Sequence, residues 1–183
     1  MNVSTFVFLV AKKEKKVDNF RIGLGTDIHR LEDNAKLYLG GIEIPSAKGA
    51  VAHSDGDALI HAIVDALLGA AGLGDIGSWF PDTDPKYKNI RSEFFLKQTQ
   101  KILTEKGFEI INIDATVRLQ KPKLAHLKKT IRENLAKILA IKEKQINIKA
   151  KTGEKIGPVG ENKAVEVFAI ALIAEKAEKR VSD

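Results

Sequence analysis

Asp57-Ala58-Leu59-Ile60-His61-Ala62-Ile63-Val64-Asp65-Ala66-Leu67-Leu68-Gly69-Ala70-Ala71 organises this chain. Leu59, Ile60, Ile63, Val64, Leu67, Leu68 and Ala71 recur at helical spacing, which predicts an amphipathic α-helix over residues 57–71. Asp57, His61 and Asp65 are four residues apart and share one stripe, bordering the apolar face. A histidine placed there is partly desolvated, which suits a neutral metal ligand. Taken alone, His61 reads better as an ordinary boundary histidine, and Asp27 as a turn residue.

On the N-terminal side, Phe20, Ile22 and Leu24 alternate and predict a strand over residues 20–28, with Asp27 and His29 at its end. Residues two apart in extended backbone project to the same side. Asp27, His29 and His61 would supply three ligands and leave one tetrahedral position open, the pattern of a catalytic zinc site. Asp65 is the expected partner for the outer nitrogen of a ligand histidine. A bare D-x-H spacing also arises by chance. Residues 37–44 form a second strand-like piece, bent at Gly40-Gly41.

On the C-terminal side, residues 72–77 break the helix. Ser92 is the expected N-cap of a second helix carrying Phe94, Phe95, Ile102 and Leu103 and closed by Gly107. Ile111, Ile113, Ala115 and Val117 alternate as a strand, and Leu127, Ile131, Leu135, Ile138 and Leu139 mark a further helix. Ile146, Ile148 and Ala150 make a short strand. Residues 165–173 are a nearly continuous apolar run, expected to be a strand buried on both faces. Strands alternating with helices predict one mixed sheet with helices on a face. The other face needs cover, expected from a partner subunit's sheet.

Composition narrows the classes. A chain of 183 residues most simply forms one domain. We expect residues 1–19 to be an appendage and residues 20–183 a single catalytic domain. There is no cysteine, so any metal is held by imidazole and carboxylate. The net charge is +6, but lysines are interleaved with glutamates and only 6% of residues are aromatic, so no nucleic-acid partner is expected. No apolar run is long enough to cross a membrane. In residues 5–16 the lysines follow the short apolar run, the wrong order for a secretory signal, so a cytoplasmic setting is expected.

Three loops add polar chemistry. Ser54 or Asp55 is expected to cap the first helix, and His53 stands where it could face an anion. The loop of residues 74–85 is acidic and rich in turn formers, and Trp79 and Phe80 imply that it folds over something. Lys151 and Lys155 supply charge, Thr152 a hydroxyl and Glu154 a carboxylate suited to a hard cation, ahead of the turn Gly157-Pro158-Val159-Gly160. Each loop alone also fits plain capping or a charged surface turn.

The three clusters share one order and spacing. Arg21-Ile22-Gly23 with Asp27-Ile28-His29 is followed by Gly41-Ile42-Glu43-Ile44-Pro45 and by Ala52-His53-Ser54-Asp55-Gly56-Asp57 running through Asp65-Ala66-Leu67-Leu68-Gly69. Gly74-Asp75-Ile76-Gly77, Phe80-Pro81-Asp82-Thr83-Asp84-Pro85, Pro122-Lys123 and residues 149–155 complete the set. In these stretches the chain resembles the 2-C-methyl-D-erythritol 2,4-cyclodiphosphate synthase family of the non-mevalonate isoprenoid route.

That resemblance implies an α+β fold, a mixed sheet with helices on one face, assembled as a homotrimer with the sheets facing its centre and active sites between subunits. It implies a lyase (cyclase) that converts 4-diphosphocytidyl-2-C-methyl-D-erythritol 2-phosphate to the 2,4-cyclodiphosphate and CMP. By resemblance, Asp27, His29 and His61 are zinc ligands, and Glu154 is the ligand of a magnesium or manganese ion on the substrate diphosphate. His53 and Thr152 match positions that steady the phosphates in the transition state. Asp27, Ile28, His29, His53, Ser54, Asp75, Ile76, Gly77, Phe80, Pro81, Asp82, Thr83 and Asp84 match erythritol and phosphate contacts. Leu119, Gln120, Lys121, Pro122, Lys123, Leu124, Ala125, Ala150, Lys151, Thr152, Gly153 and Glu154 match the surroundings of cytidine and its diphosphate.

Two departures stand out. Many relatives carry an aromatic and an arginine in the glycine-rich turn, where an isoprenoid diphosphate binds the central cavity. Here those positions are Pro158 and Glu161, with Lys163 the cation close by, so that ligand is not expected to be held in the same way. After Lys123, His126-Leu127 replaces a Pro-His pair common in relatives. A zinc phosphoesterase shares the metal site with the cyclase, and its product would be a linear phosphate. A non-enzymatic trimeric binding protein would show no turnover.

Overall fold

The expected first strand runs on well past His29. The computed structural model describes residues 19–52, 54–88 and 90–176. In chain order its elements are β1 (Phe20–Asp33), β2 (Leu37–Leu39), β3 (Ile42–Ile44), β4 (Lys48–Ala50), α1 (Ala58–Ala71), α2 (Ile76–Trp79), α3 (Ser92–Glu105), β5 (Phe108–Arg118), α4 (Lys128–Leu139), β6 (Ile146–Lys151), α5 (Gly157–Gly160) and β7 (Ala164–Glu175). The expected appendage lies outside the described residues, except for Asn19.

Five strands form one mixed sheet in the order β4-β1-β7-β5-β6. β1 and β5 both pair antiparallel with β7, and β5 pairs parallel with β6. α1 packs on β1 and β7, α4 on β6, and α3 on α1 and α4, so the helices share one face. This is the expected α+β architecture. Asp27 and His29 sit inside β1, opposite Val167 and Val165, and not at its end. Backbone pairing with β7 holds both rigidly.

α1 is buried on almost every side, and only His61, Asp65 and Gly69 interrupt the burial. The helix is therefore less amphipathic than its sequence suggests, because α3 covers the side opposite the sheet. Full burial of each Leu or Ile contributes about 1.5–3 kcal/mol. Gly23 and Gly25 let the helix lie directly on β1: an added Cβ would stand 2.1 Å from the Ala66 oxygen at Gly23 and 2.0 Å from the Ala62 oxygen at Gly25.

The expected cap by Ser54 or Asp55 is corrected. Asp57 caps α1, accepting from the Ile60 N–H at 3.0 Å. It also accepts from the N–H groups of Gly40 at 2.9 Å and Gly41 at 2.6 Å. Residues 37–44 are not one bent strand but a hairpin of β2 and β3, turned at Gly40 and Gly41 with φ of 64° and 80°. Both turn residues need positive φ, the reason a Gly-Gly pair makes this hairpin.

Two strand readings also change. β5 carries a bulge near Ile111, so Ile110 takes the buried place expected for Ile111. β7 alternates instead of being buried on both faces: Val165, Val167, Ala169, Ala171 and Ile173 point to the helices. On the open face Ile22 is 69%, Leu24 64%, Ile170 44% and Phe168 38% exposed in the single chain.

Candidate metal centre

The close packing of α1 on β1 sets His61 against the side chains of Asp27 and His29. Asp27 Oδ2 is 3.1 Å from His29 Nε2 and 3.0 Å from His61 Nδ1. The two histidine nitrogens are 3.2 Å apart. These near-equal sides match the edge of about 3.3 Å between donors of a tetrahedral ion bound at about 2.05 Å. Among the described residues this is the one group of three or more His, Asp or Glu side chains able to share a metal. The donor set, two imidazoles and one carboxylate, fits zinc.

The other Asp27 oxygen, Oδ1, accepts the Ile28 N–H at 2.9 Å, which turns Oδ2 alone toward the histidines. Burial opposes ionisation of Asp27, but the hydrogen bonds and charges of His29 and His61 outweigh it and hold the carboxyl well below the usual range. Burial likewise disfavours a charged His61, yet Asp27, with Asp57 and Asp55 farther off, outweighs it and raises the imidazole. A field that draws a proton here also draws a divalent cation.

The outer nitrogen of His61 does not meet Asp65, as expected. It meets Ser92 Oγ at 2.9 Å, with Ser54 Oγ more distant at 3.4 Å. Asp65 instead accepts the Ile76 N–H at 2.7 Å and anchors the start of α2. Ser92 is not an N-cap either. It is the first residue of α3, fully buried, after the cap residue Arg91. Ser92 and Asp55 are the site residues that sequence reasoning missed, since nothing local marks a serine at a helix start as a neighbour of His61.

A cleft of about 950 Å³ opens beside His29 and His61, lined also by Ser54, Ile76, Gly77, Phe80, Pro81, Asp82 and Thr83. These match expected substrate contacts, and Val51, Ala52, Pro85, Tyr87, Lys88 and Phe95 complete the wall. Asp75 and Asp84 do not line it. Asp75 caps α2 through the Ser78 N–H at 2.8 Å, and Asp84 accepts the Lys86 N–H at 3.0 Å. The loop folds over its own core: Trp79 donates to the Leu73 oxygen at 2.8 Å, and Phe80 stacks 5.1 Å from Phe95. The side chain of Ile28 points to the open sheet face, away from the cleft. His53 lies outside the described residues.

The remaining expected contacts gather elsewhere. Leu119, Lys123, Leu124, Ala125, Ala150, Lys151, Thr152 and Glu154 line a second cleft of about 520 Å³. Thr152 Oγ1 donates to Glu154, and Gln120 accepts the Gly153 N–H at 3.2 Å. Gln120, Lys121, Pro122 and Gly153 are not among its lining residues. Glu154 is held at φ of 51°, in the left-handed region that a non-glycine residue adopts at a cost. Lys163 pairs with Glu161 at 2.7 Å.

One chain does not join the two clefts. Ile28, Glu166, Arg118 and Lys151 form a row across the sheet. Three strand spacings of about 4.8 Å put the two ends of that row about 14 Å apart.

The comparisons agree with this geometry. The profile of the YgbB family matches residues 20–174. The 2-C-methyl-D-erythritol 2,4-cyclodiphosphate synthase of Clostridium novyi (strain NT) is 56% identical over 85% of this chain and 99% of its own. A solved structure of a 2C-methyl-D-erythritol-2,4-cyclodiphosphate synthase in a CDP-bound form has a TM-score of 0.78 at 41% identity, covering 84% of this chain and 99% of its own. The bifunctional IspDF of Campylobacter jejuni has a TM-score of 0.83 at 43% identity over 87% of this chain, which spans 43% of that longer one. The chain belongs to the YgbB family, alongside these 2-C-methyl-D-erythritol 2,4-cyclodiphosphate synthases.

Proposed function

We propose that the chain converts 4-diphosphocytidyl-2-C-methyl-D-erythritol 2-phosphate to 2-C-methyl-D-erythritol 2,4-cyclodiphosphate and CMP, in non-mevalonate isoprenoid synthesis. The observation that carries this reading is the near-equilateral triangle of Asp27, His29 and His61 beside a cleft of about 950 Å³. An oxygen of the 2-phosphate forms a bond to the β-phosphorus. The bond from that phosphorus to the oxygen bridging the α- and β-phosphates breaks, and CMP leaves with the electron pair. No water is consumed and no enzyme nucleophile is required.

Such a transfer needs alignment and charge neutralisation more than covalent help. Asp27, His29 and His61 are the residues that would hold zinc, and Glu154 one that would hold magnesium or manganese. When bound, these ions supply Lewis-acid stabilisation of the charge on the phosphates. Ser54, Ile76, Gly77 and residues 80–83 enclose the erythritol and its phosphates and limit water. The second cleft takes the cytidine end, with Lys151 near the diphosphate and Thr152 orienting Glu154. His53 completes the phosphate contacts in this reading.

Separation of the two clefts supports a site shared between copies, in this reading those of a homotrimer. Three strand spacings, about 14 Å, are more than a diphosphate spans, and in this reading Glu154 of one copy serves the triangle of another. The apolar strip of Ile22, Leu24, Phe168 and Ile170 gives the sheets a reason to face one another around the centre. Each copy then covers the open sheet face of its neighbours. A cytoplasmic setting remains part of this proposal. Among the described residues, no helix is long and apolar enough to cross a membrane.

Phosphorus NMR of the substrate with protein, zinc and magnesium tests the reading. Cyclic diphosphate with stoichiometric CMP is expected. Linear phosphates alone would reassign the chain as a metal-dependent phosphoesterase.

A further inference from the structure

Behind the triangle, α3 and the segment before α1 meet in a short polar chain. Asp55, its side chain only 6% exposed, accepts a bond from Arg91 Nε at 3.0 Å. The same carboxylate accepts the Ser92 N–H at 3.1 Å and the Ser92 hydroxyl proton. Arg91 is itself fixed, 4.1 Å above the Tyr38 ring and donating to the Gly41 oxygen at 2.9 Å. The order of donors follows from counting protons. A serine hydroxyl has one proton and two lone pairs. That proton is committed to Asp55, so Ser92 Oγ has only lone pairs to offer His61 Nε2 at 2.9 Å.

We infer that Ser92 and Asp55 act together as positioning residues, forcing the proton of neutral His61 onto Nε2 and so aiming the bare Nδ1 lone pair at the metal point. The inference rests on the zinc reading of the triangle and deepens it. Without the serine, the imidazole is free to protonate on Nδ1, the atom that faces Asp27, and that tautomer cannot bind an ion there. The arrangement also selects which histidine nitrogen coordinates, since a flipped ring would lose the bond to Ser92. Ser54 Oγ, at 3.4 Å and itself offered the Gly56 N–H at 3.4 Å, is a weaker partner for the same atom.

The test is zinc affinity by chelator competition, with a long-range nitrogen–proton NMR spectrum of histidine-labelled, zinc-loaded protein. In the wild type, His61 is expected to show a hydrogen-bonded Nε2–H and a metal-shifted Nδ1. Ser92→Ala is expected to bind zinc about 10- to 100-fold more weakly. Asp55→Asn is expected to weaken it as well, and the double variant by little more than Ser92→Ala, because the two act in series. Wild-type affinity in Ser92→Ala, additive losses, or coordination through Nε2 would each overturn the inference while leaving the zinc site standing. A wild-type protein that binds no zinc at these residues would overturn the site and the inference together. Should Ser92→Ala fail to fold, the wild-type spectrum decides.

Discussion

Gly25 of β1 lies directly beneath Ala62 of α1, so close that a Cβ on the glycine would stand 2.0 Å from the Ala62 carbonyl oxygen. Gly25 is two residues before Asp27 on the same strand face, and Ala62 follows His61. The distance from helix to strand at this point therefore sets the distances among Asp27, His29 and His61. The obstructing atoms are backbone on both sides and have no rotamer to yield. Gly25→Ala is expected to cost about 1–3 kcal/mol of stability and to weaken zinc binding, read by denaturant unfolding and chelator competition. Gly69→Ala is the control: it sits in the same helix with nothing within 4 Å of the added carbon. It should gain up to about 1 kcal/mol and leave zinc affinity unchanged.

Loss of His61 removes one of three donors. In His61→Ala, CMP release should fall by at least the ~100-fold typical of losing a single electrostatic stabiliser. The far-ultraviolet spectrum should keep its shape, since the helix around His61 is held by aliphatic packing. Full turnover in this variant would take His61 out of the centre.

The two proposed metals would be held by different clefts and should be separable. Chelation is expected to abolish turnover, and zinc with magnesium to restore it. Glu154→Gln should keep its zinc content by mass spectrometry. Its magnesium concentration for half-activity should rise at least tenfold, the equivalent of about 1.4 kcal/mol. Loss of zinc from Glu154→Gln would contradict the division of roles.

Asp57 ties the β2–β3 hairpin to α1 from a fully buried position. Asp57→Ala would leave the buried N–H groups of Gly40 and Ile60 without a partner and strip the half-buried Gly41 N–H of its acceptor. Each buried orphan costs about 1–3 kcal/mol, so a drop of at least about 2 kcal/mol is expected in urea unfolding. A stability within error of wild type would show that water takes over these donors.

Ile170 stands in the middle of the open sheet face. Ile170→Glu is expected to break the proposed trimer, seen by light scattering, and to lose turnover with it while the isolated fold survives. Retention of both assembly and activity would remove the sheet face as the interface.

Much of the architecture was legible because apolar periodicity reports burial. The 57–71 helix, the 111–117 strand and the helix marked by Ile131 and Leu135 were all found where they were expected. The misses have local causes. Ile111 was misplaced because a bulge shifts side chains by one position without changing composition. A serine before an apolar run usually caps its helix, but here Arg91 holds that place and Ser92 is the first helical residue. Asp75 and Asp84, expected among the substrate contacts, show in the single chain only local bonds, to the main-chain N–H groups of Ser78 and Lys86.

The order of residues alone determined the chemistry on offer: no thiol, two imidazoles and a carboxylate at spacings that a strand and a helix can bring together, and a separate Thr-Gly-Glu turn. Tertiary structure alone decided which atoms meet. Burial of α1 against two glycines chose Nδ1 of His61 as the inward nitrogen and Ser92, thirty-one positions away, as its outer partner. Sheet order then set the Glu154 turn three strands from the triangle. Periodicity encodes which face of an element is buried, but the partner across that face is selected by packing among distant segments, and no local pattern carries that information.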